Sequence, residues 1–199
     1  MNVVIIRYNA GNIESVSNAL LRLGIQAEIT GDAGKIRSAG KVIFPGVGQA
    51  STTMDYLRKH HLDEVILSLK QPVLGICLGL QLMCSWSEEG DTPCLGIFDE
   101  TVKRFVPEAG RENTDKIPHM GWNSVYGLKG GIFTPEMEGK YLYFVHSYYA
   151  ETGDHTTAKC NYIRPFSAAL NKNNFFATQF HPEKSGTIGA EILRNFINL

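Results

Sequence analysis

Pro72-Val73-Leu74-Gly75-Ile76-Cys77-Leu78-Gly79 is the stretch whose reading decides the fold. A short apolar run, 72–76, ends in Gly-x-Cys-x-Gly, and a helical stretch, 78–86, follows at once. This is the nucleophile-elbow pattern, in which glycines two residues either side of the centre let the chain turn sharply and expose the central side chain. A thiol placed there meets the positive end of the helix dipole, which favours the reactive thiolate. Taken alone, the same residues also fit a small buried cysteine in a glycine-rich chain.

Outward from this point the chain alternates strand and helix signals. Val3-Val4-Ile5-Ile6 and Lys41-Val42-Ile43-Phe44 are short and apolar, as strands buried on both faces should be. Between them Asn12 reads as an N-cap, Ile13, Val16, Leu20 and Leu23 recur at helical spacing, and Gly24 ends the helix. A further helix covers about 62–70. This β-α-β-α order predicts a parallel sheet with right-handed crossovers. The second half differs: 141–145 and 175–180 read as aromatic-rich strands, 107–116 as a polar surface loop, and about 186–198 as a final helix. With 199 residues, no repeat and no low-complexity tract, the expectation is one α/β domain over 1–199. Its sheet should be mostly parallel and flanked by helices, with additional antiparallel strands in the second half.

Composition narrows the function. Apolar residues make up 43% and charged residues 20%, ordinary values for a soluble protein. A net charge of −1 without clustered Lys and Arg argues against nucleic acid as a partner. No apolar run approaches the roughly 20 residues that cross a bilayer. Asn2 leads straight into a strand with no signal-peptide pattern, so no membrane and a cytoplasmic location are expected. The four cysteines are scattered, with no CxxC pair or Cys/His cluster at metal-ligand spacing, so neither disulfides nor a metal are expected. Cys84 reads as packing on the elbow helix, His60-His61 as solvated helix-end residues, and His155 as part of a polar loop.

His181-Pro182-Glu183 follows directly on the last apolar strand. In extended chain, residues i and i+2 project to one side about 7 Å apart. Pro182 biases His181 toward that conformation. Glu183 can then hold the His181 imidazole in one tautomer while its other nitrogen addresses a thiol. Alone, the segment also fits a solvated turn. Together with the elbow it forms a nucleophile, base and orienter at the carboxyl ends of parallel strands, where α/β folds place active sites. Acyl transfer also needs oxyanion donors. The Leu78 N–H offers one, and the glycines of Pro45-Gly46-Val47-Gly48 let backbone approach a ligand or flip.

Phe44-Pro45-Gly46-Val47-Gly48, Gly75-Ile76-Cys77-Leu78-Gly79-Leu80-Gln81 and Phe180-His181-Pro182-Glu183-Lys184-Ser185 closely resemble the class I (triad) glutamine amidotransferases. Within that class Pro118-His119-Met120-Gly121-Trp122-Asn123 resembles the glutaminase subunits of imidazole glycerol phosphate synthase. Tyr8-x-x-Gly11-Asn12 and His146-Ser147-Tyr148 agree with it, and the resemblance spans essentially the whole chain. It implies the class I fold and a Cys77-His181-Glu183 glutaminase, with Gly46, Val47 and Leu78 at the oxyanion hole. L-Glutamine is implied to lie against Gly48, Gln81, Glu89, Ser147 and Tyr148, with Glu89 on the ammonium group, although Ser87-Glu88-Glu89 also reads as a solvated helix end. No cofactor is implied. The implied partner is a (β/α)8-barrel cyclase subunit, in a heterodimer, which uses the ammonia to form imidazole glycerol phosphate and AICAR in histidine biosynthesis. Tyr8, Asn12, His119, Met120, Trp122 and Asn123 are implied at the interface, with 118–123 read as a shaped loop. Arg7 stands where the family usually has an acidic residue. Three alternatives remain: the glutaminase subunit of pyridoxal phosphate synthase, a cysteine hydrolase on a similar fold, and a catalytically silent binding module.

Overall fold

A computed structural model describes residues 2–8 and 12–199, so Gly11 of the Tyr8-to-Asn12 motif lies outside the described residues. The first half holds β1 (Val3–Ile6), α1 (Ile13–Arg22), β2 (Ala27–Thr30), α2 (Ala33–Ser38) and β3 (Lys41–Gly46). It continues through α3 (Ala50–Lys59), α4 (Leu62–Ser68), β4 (Val73–Cys77) and α5 (Leu78–Met83). Short strands follow: β5 (Trp86–Ser87), β6 (Thr92–Pro93) and β7 (Thr101–Arg104). Then come β8 (His119–Ser124), β9 (Tyr141–His146), β10 (Tyr148–Ala150), β11 (Thr156–Tyr162), β12 (Arg164–Lys172), β13 (Phe175–Thr178) and α6 (Gly186–Ile197).

Seven strands form the central sheet in the order β11-β12-β13-β4-β3-β1-β2. From β13 to β2 the neighbours are parallel, whereas β11, β12 and β13 pair antiparallel. The expected sheet, mostly parallel with antiparallel strands added by the second half, is therefore found. β1, β3 and β4 are buried along their whole length, which explains their unbroken apolar sequences. Their side chains alternate between two cores. Val4, Ile6, Val42 and Phe44 meet α2 to α5 on one face, while Val3, Ile5, Ile43 and Leu74 meet α1 and α6 on the other. A four-stranded sheet (β10-β7-β5-β6) and the β8–β9 pair stand apart from this sheet.

Four local expectations need correction. The elbow helix stops at Met83, not Trp86, and Cys84 is already extended. Leu95 N–H donates to Leu82 O (2.8 Å), Ile97 and Phe98 N–H to Met83 O (both 2.9 Å), and Gly96 N–H to Cys84 O (2.9 Å). A returning loop thus satisfies the carbonyls that another helical turn would have used. Ser87-Glu88-Glu89 is consequently not a helix end: Ser87 belongs to β5 and the glutamates follow it. Asn12 occupies the N-cap position of α1, but with φ 70° and no side-chain capping bond. Finally, residues 118–123 are no loop, since His119–Ser124 is a regular strand paired antiparallel with β9. Helix α3 had no counterpart in the sequence reading, because Ser51-Thr52-Thr53 gives its first turn weak helical preference.

Candidate active site

The parallel register assembles the site. β3 places Gly46 opposite Cys77, and β13 places Thr178 opposite Ile76, so the chain beyond Thr178 leaves the sheet beside Cys77. Cys77 has φ 55° and ψ −108°, a conformation that L residues rarely adopt and that a tight surrounding must enforce. The glycines explain how. A Cβ on Gly79 would collide with the Phe44 carbonyl, and one on Gly75 would lie 2.9 Å from Met83 Sδ. A Cβ on Gly46 would lie 2.7 Å from the Tyr8 hydroxyl and 2.8 Å from Leu78 Cβ. The elbow therefore closes only with glycine at these crossings.

His181 is 1% exposed, and its Nδ1 donates to Glu183 Oε1 at 2.7 Å. The route differs from the extended spacing expected. His181 is extended, but Pro182–Lys184 forms a turn of 3-10 helix that folds Glu183 back under the ring. His181 N–H donates to Tyr143 O (2.9 Å) and the Ser185 hydroxyl to His181 O (2.7 Å), which fixes the turn. With Nδ1 committed to Glu183, Nε2 is buried without a hydrogen-bond partner among the described residues. Burial is the largest single influence on this imidazole and lowers its pKa. The proximity of Cys77 and the hydrogen-bonded carboxyl of Glu183 outweigh burial and raise the pKa above the ordinary histidine value.

Cys77 opens onto a cavity of about 290 Å³, close to the lower end of small-molecule pockets. Val47, Gly48, Leu78, Gln81, Glu89, Ser147, Tyr148 and His181 line it, together with Val145 and His146. All five residues expected to hold the substrate are thus around one cavity. Gln81 Nε2 donates to Tyr148 O (2.8 Å) and to Gln179 Oε1 (3.1 Å). Glu89 is half-buried and accepts from Ala50 N–H (2.7 Å) at the start of α3. Burial raises its pKa, and the Ala50 hydrogen bond opposes that shift. Among the described residues no group of three or more His, Cys, Asp and Glu is placed to hold a metal ion.

Five segments of the sequence converge on this geometry, and the sequence model of the family "Glutamine amidotransferase class-I" matches residues 4–199. The chain belongs to the class-I glutamine amidotransferases. It is 56% identical to "Imidazole glycerol phosphate synthase subunit HisH" of Bacteroides fragilis (strain YCH46), over 100% of both chains. It is 43% identical to the protein of the same name from Escherichia coli (strain K12), again over 100% of both chains. A solved structure titled "Crystal structure of glutamine amidotransferase" covers 99% of this chain and 98% of its own, with a TM-score of 0.74 at 18% identity. That likeness is one of fold.

Within this amidotransferase the residues expected at an interface divide into two groups. Met120 is 63% exposed and Trp122 55%, both on the outward side of β8, so neither fills the core. His119, one residue earlier, faces inward and is buried, and Asn123 is half-buried. Tyr8 departs from the expectation. It is 4% exposed and packs on Phe44, and its hydroxyl donates to Pro45 O at 2.5 Å beneath the Gly46 turn. Asn12 Nδ2 donates to Glu183 Oε1 at 2.6 Å, so its amide is directed into the site. Two residues had no assigned role in the sequence: His146, which lines the cavity, and Gln179, which is buried behind Cys77 and Gln81. Gln179 is fully buried and its Nε2 lies 3.7 Å from Cys77 Sγ. His146 is buried, donates from Nδ1 to Tyr148 O (2.7 Å), and faces His119 Nδ1 from Nε2 (3.0 Å). The available signal for Gln179 was a polar amide between Thr178 and Phe180 at the end of an apolar strand.

Proposed function

We propose that this chain is the glutamine-hydrolysing subunit of an imidazole glycerol phosphate synthase, a role supported by relatives of that name at 56% and 43% identity. The observation that carries the reading is the Cys77, His181 and Glu183 constellation on one cavity with Gln81 and Glu89. In this reading the chain works as one cytoplasmic domain and needs no cofactor. His181 Nε2 takes the Cys77 proton, and the sulfur attacks the side-chain amide carbon of glutamine. The oxyanion is held by the Leu78 N–H and the Gly46-Val47 peptide. Collapse breaks the C–N bond, and His181 returns the proton to the departing nitrogen, releasing ammonia and leaving a glutamyl thioester. Water then adds with His181 as base, and glutamate departs from Cys77. Glu89 faces the substrate ammonium, while Gly48, Ser147 and Tyr148 complete the cradle.

The partner in this reading is a barrel-shaped cyclase subunit in a heterodimer, seated on the exposed Met120 and Trp122 face with Asn123 at its edge. Aromatic anchors of this kind are common among interface hot spots. The test is glutamate release by the purified chain, alone and with the cyclase subunit and the cyclase ligand. Strong stimulation and one glutamate per imidazole product are expected. No glutamate under any of these conditions overturns the reading.

A further inference from the structure

We infer that Gln179 is a further catalytic residue of the site: a buried amide that donates an N–H to the Cys77 sulfur, with its orientation dictated by the backbone through Gln81. This inference rests on the reading of Cys77 as the nucleophile.

The geometry begins with register. Thr178 is opposite Ile76 in the parallel β13–β4 pair, so Gln179 emerges level with Cys77, and its side chain is fully buried there. Its Nε2 is 3.7 Å from Cys77 Sγ, an ordinary separation for an N–H to sulfur contact.

Which end of the amide meets the sulfur follows from the partners. The Tyr148 carbonyl can only accept, so Gln81 must turn its NH2 group to it, at 2.8 Å. The same Gln81 nitrogen lies 3.1 Å from Gln179, so Gln179 must present oxygen there. Its nitrogen is therefore the atom left for Cys77. The Tyr148 carbonyl is itself held from the other side. His146 must carry its proton on Nδ1 to donate there, which leaves Nε2 to accept from His119 Nδ1 at 3.0 Å. His119 Nε2 in turn accepts from Asn123 (3.3 Å), whose second N–H goes to Asn161 O at 3.0 Å. Burial keeps both imidazoles neutral, with pKa values lowered to about 4 for His119 and about 3 for His146. Tyr148 O thus accepts from both sides: the histidine branch runs between two backbone carbonyls, and the Gln81–Gln179 branch runs from Tyr148 O to the Cys77 sulfur.

The chemistry gives that direction a use. The Cys77 thiol also lies 3.9 Å from Val145 O, an acceptor that suits the protonated sulfur. Once the proton moves to His181, a carbonyl offers the anionic sulfur nothing, whereas the Gln179 N–H bond strengthens, because hydrogen bonds to ionised acceptors are roughly twice as strong as neutral ones. Gln179 thus favours the attacking form and the thiolate that departs at the end of the cycle.

The test uses iodoacetamide, a small amide that alkylates the thiolate without needing the glutamine cradle, with mass mapping to read Cys77 apart from the other three cysteines. Gln179→Met keeps an unbranched side chain of similar length and removes the donor. Alkylation of Cys77 at neutral pH should slow at least tenfold, and a rate within twofold of the original overturns the inference. A second measurement needs no substitution at 179. In the chain labelled with 15N in its glutamine side chains, alkylating Cys77 should shift the Gln179 side-chain amide resonances, and unmoved resonances overturn the inference even if Gln179→Met fails to fold. Glutamate release with the cyclase subunit is measured in parallel. Absence of glutamate overturns the functional reading, whereas glutamate production with alkylation indifferent to Gln179 overturns only the role of Gln179.

Discussion

His181 and His146 are both buried and line the same cavity, yet they are shifted in opposite directions. Burial is the largest influence on each, and it lowers both. His181 has Glu183 2.7 Å from one nitrogen and Cys77 beside the other, and these two neighbours reverse the effect. His146 has the neutral His119 and a carbonyl, among Phe105, Phe144 and Phe166, so burial prevails. One fold therefore shifts two buried imidazoles of one cavity in opposite directions. The hydrogen-bond partners decide between them.

The largest effect should separate the two rings. His181→Ala is expected to lower glutamine turnover by on the order of 10⁵-fold, with Glu183→Gln roughly a hundredfold milder, since a triad acts as a unit. His146→Gln should cost far less than either. Steady-state glutamate release on all three checks the order, and equal losses at His146 and His181 would erase the distinction. On the outward side of the hairpin that carries His119, Trp122→Ala should weaken association with the cyclase subunit by about 2 kcal/mol with an unchanged melting curve. Calorimetric titration reads this, and a variant that loses stability but keeps affinity would return Trp122 to a packing role.

Asn12 sharpens the carboxylate side of the comparison. Asn12→Gly tolerates φ 70° and removes only the amide that meets Glu183. A hydrogen bond to a charged group is worth about 1.5–3 kcal/mol, so a fall in kcat on the order of tenfold is expected, with KM for glutamine little changed. A fall in affinity for the cyclase subunit alone would make Asn12 a contact and not a positioning residue.

The smallest effect is one of pH. His119 and His146 have folded pKa values of about 4 and about 3 against an ordinary 6.5, so below about pH 6.5 the unfolded chain binds more protons than the native one. Their contribution to stability is intact above that pH and is lost as the pH falls toward 4, by up to roughly 1.4 kcal/mol per pH unit for each ring. His181 has the opposite sign: with its pKa raised, its contribution is complete below its unfolded value and disappears as the pH rises through the folded one. Denaturant unfolding of His119→Gln between pH 4 and 7 should show a flatter slope than the original chain, and an unchanged slope would mean that His119 is protonated in the folded state.

Much of the site was legible because its chemistry is local in sequence. Gly75-Ile76-Cys77-Leu78-Gly79 carries its own turn requirement, and His181-Pro182-Glu183 brings imidazole and carboxylate within two residues of each other. Periodicity was enough for β1, α1, β3 and β4, whose burial on one or both faces writes itself into the residue pattern. The end of α5 was not legible, because the carbonyls that stop it are satisfied by residues 95–98, and no rule internal to the helix reports a returning loop.

By itself the sequence determined the family and singled out Cys77, His181 and Glu183, since glycine crossings and a strand-end His-x-Glu are constraints that neighbouring residues impose on one another. Tertiary structure alone decided that Tyr8 is buried under the Gly46 turn, that Asn12 meets Glu183 across 171 positions, and that Gln179 meets Cys77 across 102. It also decided that 118–123 is a strand with Met120 and Trp122 outward and His119 inward. The physical reason is that a polar side chain carries the capacity for a hydrogen bond but not its address. The address comes from strand register and crossover, which set residues remote in sequence side by side.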